Sequence, residues 1–496
     1  MDTNLLWTKL AIEDDILIGI FKHLDPVSLR NIEETCNQFR TFINRTHMWK
    51  RLFHQNNPRF LENKDNSDIL KRMNDIMNWD EHYKFKKLCL KVYSLECNWT
   101  EKNWKQKSLN LQQTFKAHII KVIETSLILS VTSNPFFSSL GTVFDLTKWR
   151  KEDPMKMQEA VKMHILSAHI SESHLVFFGE PKYGDMMHTS NGDIMFCIKL
   201  FSNPGLDFVK RSKGLGPLVA TQRSKVKVSG QWVVLFQSHF KEDTTGPAHD
   251  SIHLFSWTDA SQHLVHCKKF ALDHPARRFL TLISFDHLYV SGIRKPGTVV
   301  EMWHLGSESS DTVPVTWRKD VGNRNTASCT ALALAHPLVY VGKTNGRCEV
   351  WNVEQDLRVM SLDHEPNGDS GLLAVQRIVV LSRRIITLTN RGRIHVWSKQ
   401  VGEGRIQGSR TSSSCLLWTH KIQEAGIIIT DVFADSTKMV WVETNTKTHE
   451  RTLHVADFWT QGQQNRQITR TEDMGSLKRK QERRDLKKRK KCCSFC

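Results

Sequence analysis

The side chains with the most chemistry to offer are crowded at the C-terminal end. Residues Lys478 to Lys491 hold ten Lys or Arg and only two acids, Glu482 and Asp485. Directly behind them stand Cys492, Cys493 and Cys496, three of eleven cysteines. Cys493-Ser494-Phe495-Cys496 is formally Cys-x-x-Cys, but a zinc site takes four ligands and no second pair is close in sequence. The 23 histidines are dispersed, and each reads as a surface or turn residue. Asp145, Asp193 and Glu301 fall on predicted strands or turns without an identifiable partner. No Walker loop, dinucleotide fingerprint, His-Glu-x-x-His or Gly-x-Ser-x-Gly occurs. No catalytic residue, metal or cofactor is expected, and the chain reads as an interaction protein rather than an enzyme.

The fourteen residues from Lys478 carry a net +8 of a total +18. The basicity is therefore largely a property of the tail, and the body need not bind nucleic acid. With 496 residues, 39% of them hydrophobic, the chain is long enough for a small domain plus a large repeat array. No run of about 18 apolar residues occurs, so no membrane-spanning helix is expected. Met1 to Leu10 lacks a basic-then-apolar pattern, so no secretory signal is read. The singly scattered cysteines then read as reduced, buried small hydrophobes.

Two kinds of element must position whatever the chain binds. The first is helical. Asp14 and Asp15 sit in a first helical turn, where the helix dipole favours acids. Ile12, Ile16, Ile20 and Leu24 repeat at four-residue spacing, and Leu17 and Phe21 widen the stripe. Asp25-Pro26 breaks the helix. Leu29, Ile32, Cys36, Phe39, Phe42 and Ile43 form a second stripe, and Trp49 is a large aromatic anchor. Asn56 to Trp79 is polar and reads as a loop. From Glu81 the helical pattern returns through Phe85, Leu88, Cys89, Val92, Leu95 and Trp99.

The second kind is strands, from about residue 115 to 460. Trp-ended apolar segments finish at Trp257, Trp303, Trp351 and Trp397, at spacings of 46, 48 and 46. Fainter copies end at Trp149, Phe201 and Trp459. Two copies parse fully. Thr330 to Pro337, Leu338 to Lys343 and Arg347 to Trp351 are strands around an Asn345-Gly346 turn. Arg377 to Leu381, Arg384 to Thr389 and Arg393 to Trp397 repeat that plan around Gly392. Strand, strand, turn and Trp-ended strand is the plan of a propeller blade.

Ile12 to Leu29 resembles the opening of an F-box, and Thr35 to Arg40 with Met48 to Leu52 resembles its second half. Glu13 and Phe39 depart from the usual Pro and Trp. The Trp-ended copies resemble degenerate WD repeats whose Gly-His openings survive only as Ala117-His118, Ala168-His169 and Asp363-His364. The two together resemble an F-box/WD-repeat protein. The implied fold is α+β and multidomain: a small all-α F-box module at 10–55, a helical linker at 56–114, an all-β propeller of seven WD-like blades at 115–460, and a basic, disordered tail at 461–496. The implied function is that of a substrate receptor in an SCF-type cullin–RING ubiquitin ligase. The F-box docks on the Skp-type adaptor, which joins the cullin scaffold, and the propeller holds an unknown protein target. Catalysis is then by proximity alone. The implied adaptor-binding residues are Ile12, Ile16, Ile20, Leu24, Pro26, Leu29 and Trp49. In that family the target face is often basic and reads phosphorylated segments. Lys343, Arg347, Arg391 and Arg393 are the candidate substrate contacts, with ordinary solvated turn cations as the other reading. A different class of function also stays open: a propeller scaffold whose basic tail binds RNA or DNA outside any ubiquitin ligase.

Cys493 stands fourth from the end, and the ending resembles a prenylation box, although Ser494 and Cys496 depart from its commonest form. The basic run would supply a second attraction to an anionic membrane surface, and Cys492 could be acylated. Location is then cytoplasmic with membrane association. Lys478-Arg479-Lys480 with Lys487 to Lys491 reads alternatively as a nuclear import signal, and a solvated tail is the third reading. Intact mass and fractionation of wild type and Cys493→Ser separate these. Lipidation gives a lipid mass and membrane partitioning that the variant loses.

Overall fold

The computed structural model describes residues 14–57, 60–61, 66–73 and 80–110, then the strands between residues 119 and 304, and residues 315–321, 327–364, 373–399, 416–422 and 424–459. Ile12, Cys492, Cys493 and the tail at 461–496 lie outside the described residues. Contact clustering divides the chain into two compact units. Among the described residues, the first unit takes those up to Lys107, but also Ser436–Lys438 and Ala456 to Trp459.

Six helices are described in the first unit: α1 (Asp14–Phe21), α2 (Pro26–Thr35), α3 (Asn37–Arg45), α4 (Met48–Asn56), α5 (Ser67–Arg72) and α6 (Glu81–Thr100). The Asp25-Pro26 break is a helix start. Asp25 accepts hydrogen bonds from the backbone N–H of Val27 (2.9 Å) and Ser28 (3.0 Å) and from the Ser28 hydroxyl (2.6 Å). Those donors, the Ser28 hydroxyl foremost, hold its carboxyl below the ordinary value. Pro26 occupies the first turn, where its missing N–H costs nothing. Asp80 caps α6 in the same manner through His82 N–H.

The core of this unit is aromatic. Phe21 packs edge-on to Phe42 and tilted against Phe39, and Phe53 meets Phe60 and Phe85 at 5.1 and 5.5 Å. The whole stripe of α6 is buried, as its spacing predicts. The supposed loop at 56–79 is different: it contains α5, and Phe60, Ile69 and Met73 are buried. Apolar residues without an amphipathic period had hidden that packing. Trp99, at the end of α6, is stacked on Phe458 at 3.7 Å and donates to the Ser436 carbonyl. Asn98 donates to the Phe458 carbonyl at 2.7 Å. Residues 436 and 456–459 therefore belong to the helical core, and the expected boundary at 460 does not describe the first unit.

The rest is mostly β-sheet. Among the described residues there are seven sheets, six of four strands and one of three, and six of the seven are antiparallel throughout. One runs Cys329–Ala335, Leu338–Lys343, Arg347–Asn352 and Leu357–Asp363; the next runs Val375–Val380, Arg384–Thr389, Ile394–Ser398 and Leu416–His420. The two turns are where the sequence put them, with Gly346 and Gly392 at φ 77° and 67°. A Cβ on Gly392 would meet the Ile429 nitrogen at 2.6 Å, so conformation and space both demand glycine there. Sheets meet face to face. Ala331, Tyr340 and Val350 of the first sheet share a core with Val375, Ile385 and Trp397 of the next. Cys329–Ala335 lies against Val375–Val380, which lies against Ile427–Ala434, which in turn lies against Ile119–Glu124. The last sheet is ordered Lys105–Asn110, Arg451–Asp457, Lys438–Asn445, Ile427–Ala434. Strand structure thus begins ten residues before the expected position 115, because Lys105–Asn110 is too polar to read as a strand.

A hydrogen-bonded chain links the two parsed sheets. Trp397 Nε1–H donates to Thr387 Oγ1 at 3.0 Å, and His364 Nε2 lies 2.6 Å from the same oxygen. His364 Nδ1 meets the Gly346 carbonyl, an acceptor only, so Nδ1 carries the proton and Nε2 accepts from Thr387. His395 packs edge-on to His364 at 4.7 Å. Burial lowers His364 to about 4; burial, with the charges of His364 and Arg393, lowers His395 to about 3. Both rings are neutral in the folded protein at pH 7 and take protons near pH 6.5 when unfolded. Their contribution is present at pH 7 and is lost as pH falls below about 6.5 toward 4. Denaturant unfolding of the β unit should lose roughly 2 kcal/mol per histidine between pH 7 and pH 5. A His364→Gln, His395→Gln double variant should lose distinctly less over the same interval.

Candidate functional site

Helix α1 has two apolar faces. Leu17 and Phe21 are buried, while Ile16 and Ile20, one turn apart, are 54% and 52% exposed. Gly19 between them has open space on its Cα, and Leu24 is half-buried. Val27, at the start of α2, is 42% exposed. These three exposed aliphatic side chains sit on a module whose other large apolar groups are mostly inside. An apolar surface on a small helical module marks an interface.

Comparison with known proteins gives a match over this region. Residues 14–55 match the F-box-like family model. These helices are an F-box-like domain. No curated protein matches the chain. Among solved structures, a complex of KlAtg21 with the coiled-coil of AgAtg16 is similar at 12% identity, over 60% of this chain and 82% of that one, with a TM-score of 0.43. The crystal structure of the computationally designed Ika8 protein is similar at 11% identity, over 69% of this chain and 98% of that one, with a TM-score of 0.38. Likenesses this slight carry no argument about fold or function.

Within the F-box-like domain the expected adaptor residues divide. Ile16 and Ile20 are accessible. Pro26, Leu29 and Trp49 are not: all three are buried, with Leu29 and Trp49 fully enclosed. They support the surface from beneath and do not form it. Leu29 faces inward because the first turn of α2 packs its Pro26–Leu29 side, whereas Val27 falls on the outer side. Sequence reading missed Val27, which has no helical partner at three- or four-residue spacing in its stripe.

It also missed Glu33, the only acid buried in α2. Glu33 is 4% exposed and accepts from Trp49 Nε1–H at 3.1 Å. His82 Nε2 lies 3.2 Å and Lys86 Nζ 2.7 Å away. Lys86 also sits 5.7 Å over the Trp49 ring. The carboxylate thus ties α2, α4 and α6 together at one point. The available signal was its place four residues after Leu29, on the apolar side of α2. Cys89 donates to the Trp49 carbonyl next to this cluster, and burial pushes its thiol up to about 12, so it is an inert packing group.

The four basic turn residues do not make one open cationic surface. Lys343 is buried and paired with buried Glu349 at 2.6 Å, which removes it as a target contact. Its place beside the Asn345-Gly346 turn had made it a candidate contact; the inward carboxylate of Glu349, two residues past Arg347, turns it in. Arg347 is exposed and pairs with Asp363 at 3.0 Å. Arg391 and Arg393 are half-buried beside the Gly392 turn. No cluster of metal-ligating side chains occurs among the described residues, and no described helix is long and apolar enough to cross a membrane.

Glu33→Ala should cost about 3–5 kcal/mol, since it leaves the buried Trp49 N–H and the Lys86 ammonium without their acceptor. Glu33→Gln keeps an acceptor for Trp49 and should cost less. Chemical denaturation followed by Trp fluorescence measures both.

Proposed function

We propose that this protein is a substrate receptor of an SCF-type ubiquitin ligase. The observation that carries the reading is the F-box-like domain at residues 14–55 with Ile16, Ile20 and Val27 left exposed on it. F-box domains generally bind Skp1-type adaptors, so such a domain suggests a place in an SCF-type complex. An adaptor covering those three side chains removes apolar surface from water at roughly 25 cal/mol per Å². Leu29 and Trp49 are buried beneath this surface, and Trp49 is tied to α2 through Glu33.

The β unit is the target-holding part in this reading, and a WD-like propeller is its architecture. Support comes from the 46- to 48-residue Trp period, the four-stranded sheets that follow it, and cores shared between successive sheets. The seven sheets of short strands among the described residues, with glycine turns at Gly346 and Gly392, present loops on which a target can be read. The receptor raises the local concentration of target lysines near the ubiquitin-carrying enzyme and makes no bond itself. The cullin scaffold is reached through the adaptor, and the target is a protein.

Ile20→Lys decides the docking step. Ile20 is half exposed, so the substitution leaves the fold intact but buries an unpaired ammonium if an adaptor covers it. Adaptor and cullin should co-purify with the wild-type chain and be lost with Ile20→Lys. Their undiminished recovery with a folded Ile20→Lys protein would falsify the docking assignment.

A further inference from the structure

Helix α6 runs alongside α2, and Glu33 fixes where the two meet. His82 Nε2 and Lys86 Nζ, one turn apart on α6, both reach its carboxylate. Seven residues beyond Lys86, close to two whole turns, Tyr93 returns to the same face of α6. That is about 10 Å along α6 from Lys86. Back along α2, Glu33 to Val27 is six residues, or about 9 Å. The two helices are antiparallel here, since the Asp25 carboxylate that caps α2 acts electrostatically on both Tyr93 and Cys97. Tyr93 therefore comes level with the exposed start of α2. Both helices belong to the first unit.

Tyr93 is one of the large apolar side chains left at the surface of that unit, at 36% exposure. Val92 and Leu95 beside it on α6 are buried. The Tyr93 phenol hydrogen-bonds with Cys97 one turn on, which holds the ring in place against its own helix. Cys97 foremost, then burial, then the Asp25 charge raise the phenol above its ordinary value, so it is neutral at pH 7. A neutral aromatic ring fixed before binding loses little freedom when a partner covers it, and such rings are the usual anchors of interfaces. The family match ends at residue 55, so Tyr93 stands outside the segment that the F-box-like model covers.

We propose that the adaptor surface continues past the F-box-like segment: a Skp1-type adaptor seated on Ile16, Ile20 and Val27 also covers Tyr93, and α6 supplies one of its contacts. The proposal rests on the docking reading above. Continuity selects this occupant. The Val27 N–H is bonded to the Asp25 cap, and the charge of the same cap acts on Tyr93, so a partner that buries Val27 meets Tyr93 next.

The probe is a purified Skp1-type adaptor, titrated against the full-length protein by biolayer interferometry, with circular dichroism to check the fold of each variant. Tyr93→Ala should raise Kd by about tenfold. Tyr93→Phe, which keeps the ring, should raise it much less. Tyr83, also exposed on α6, is about 15 Å from Tyr93 along the helix, and Tyr83→Ala should leave Kd unchanged. Hydroxyl-radical footprinting reads the same contact in the wild-type protein: the adaptor should protect Tyr93 from oxidation and leave Tyr83 open. If Ile20→Lys abolishes binding while Tyr93→Ala binds as wild type does and Tyr93 stays unprotected, the docking reading stands and this proposal is overturned. If Ile20→Lys binds as well as wild type, or wild type does not bind, the docking reading falls and this proposal with it. Equal losses from Tyr83→Ala and Tyr93→Ala overturn it as well. So does protection of Tyr93 that grows with the concentration of this chain alone, which would mark a second copy as the occupant.

Discussion

Glu33 is the point on which the helical unit depends. A carboxylate removed from water is costly unless it is well supplied with donors, and here the donors come from two other helices. Trp49 on α4 gives its indole N–H, and His82 and Lys86 on α6 give ring and ammonium nitrogens. Each of these side chains is also a packing group. Trp49 is fully buried, Lys86 covers its ring, and His82 meets Tyr83 edge-on. A single acceptor therefore sets the mutual rotation of α2, α4 and α6. Apolar packing alone, being non-directional, would leave that rotation less tightly specified.

The exposed side of the domain follows from that arrangement. With α2 turned so that Leu29 and Glu33 face inward, Val27 must face out. With Leu17 buried and Phe21 of α1 engaged by Phe39 and Phe42, Ile16 and Ile20 have nowhere to go but the surface. The same helix thus builds the core with one pair of residues and offers the other to a partner. The place of Tyr93 follows likewise: the face of α6 that meets Glu33 runs on to the start of α2, and Tyr93 stands exposed there.

Much of this was legible in the residues, but unevenly. Strands around Asn345-Gly346 and Gly392 fall within a residue or two of expectation, since turn glycines and alternating burial act over a few residues. Helix α6 was legible because its apolar period is unbroken over about four turns, from Phe85 to Trp99. The first helix was legible as a helix, and the F-box resemblance already put Ile16 and Ile20 on its outer side; the apolar period alone does not choose between that pair and Leu17 and Phe21, which tertiary packing turns inward. Leu29 and Trp49 were placed on the binding surface for the same reason. Lys343 shows the limit on the polar side, because a buried ion pair reads from sequence as two solvated charges. Glu33 was hidden by its own type, since acids are rarely enclosed.

The first unit is discontinuous along the chain, and that has a consequence for biosynthesis. Asn98 and its partner Phe458 are 360 residues apart. At roughly 5–20 residues per second, helix α6 leaves the ribosome on the order of half a minute before the segment that covers Trp99. During that interval the N-terminal helices are present while the end of α6 still shows a large indole face to solvent. Completion of the helical unit waits for translation of the intervening β region. A chain stopped within that region never acquires the cover, and it displays the uncovered Trp99 to the chaperones and proteases that survey nascent proteins.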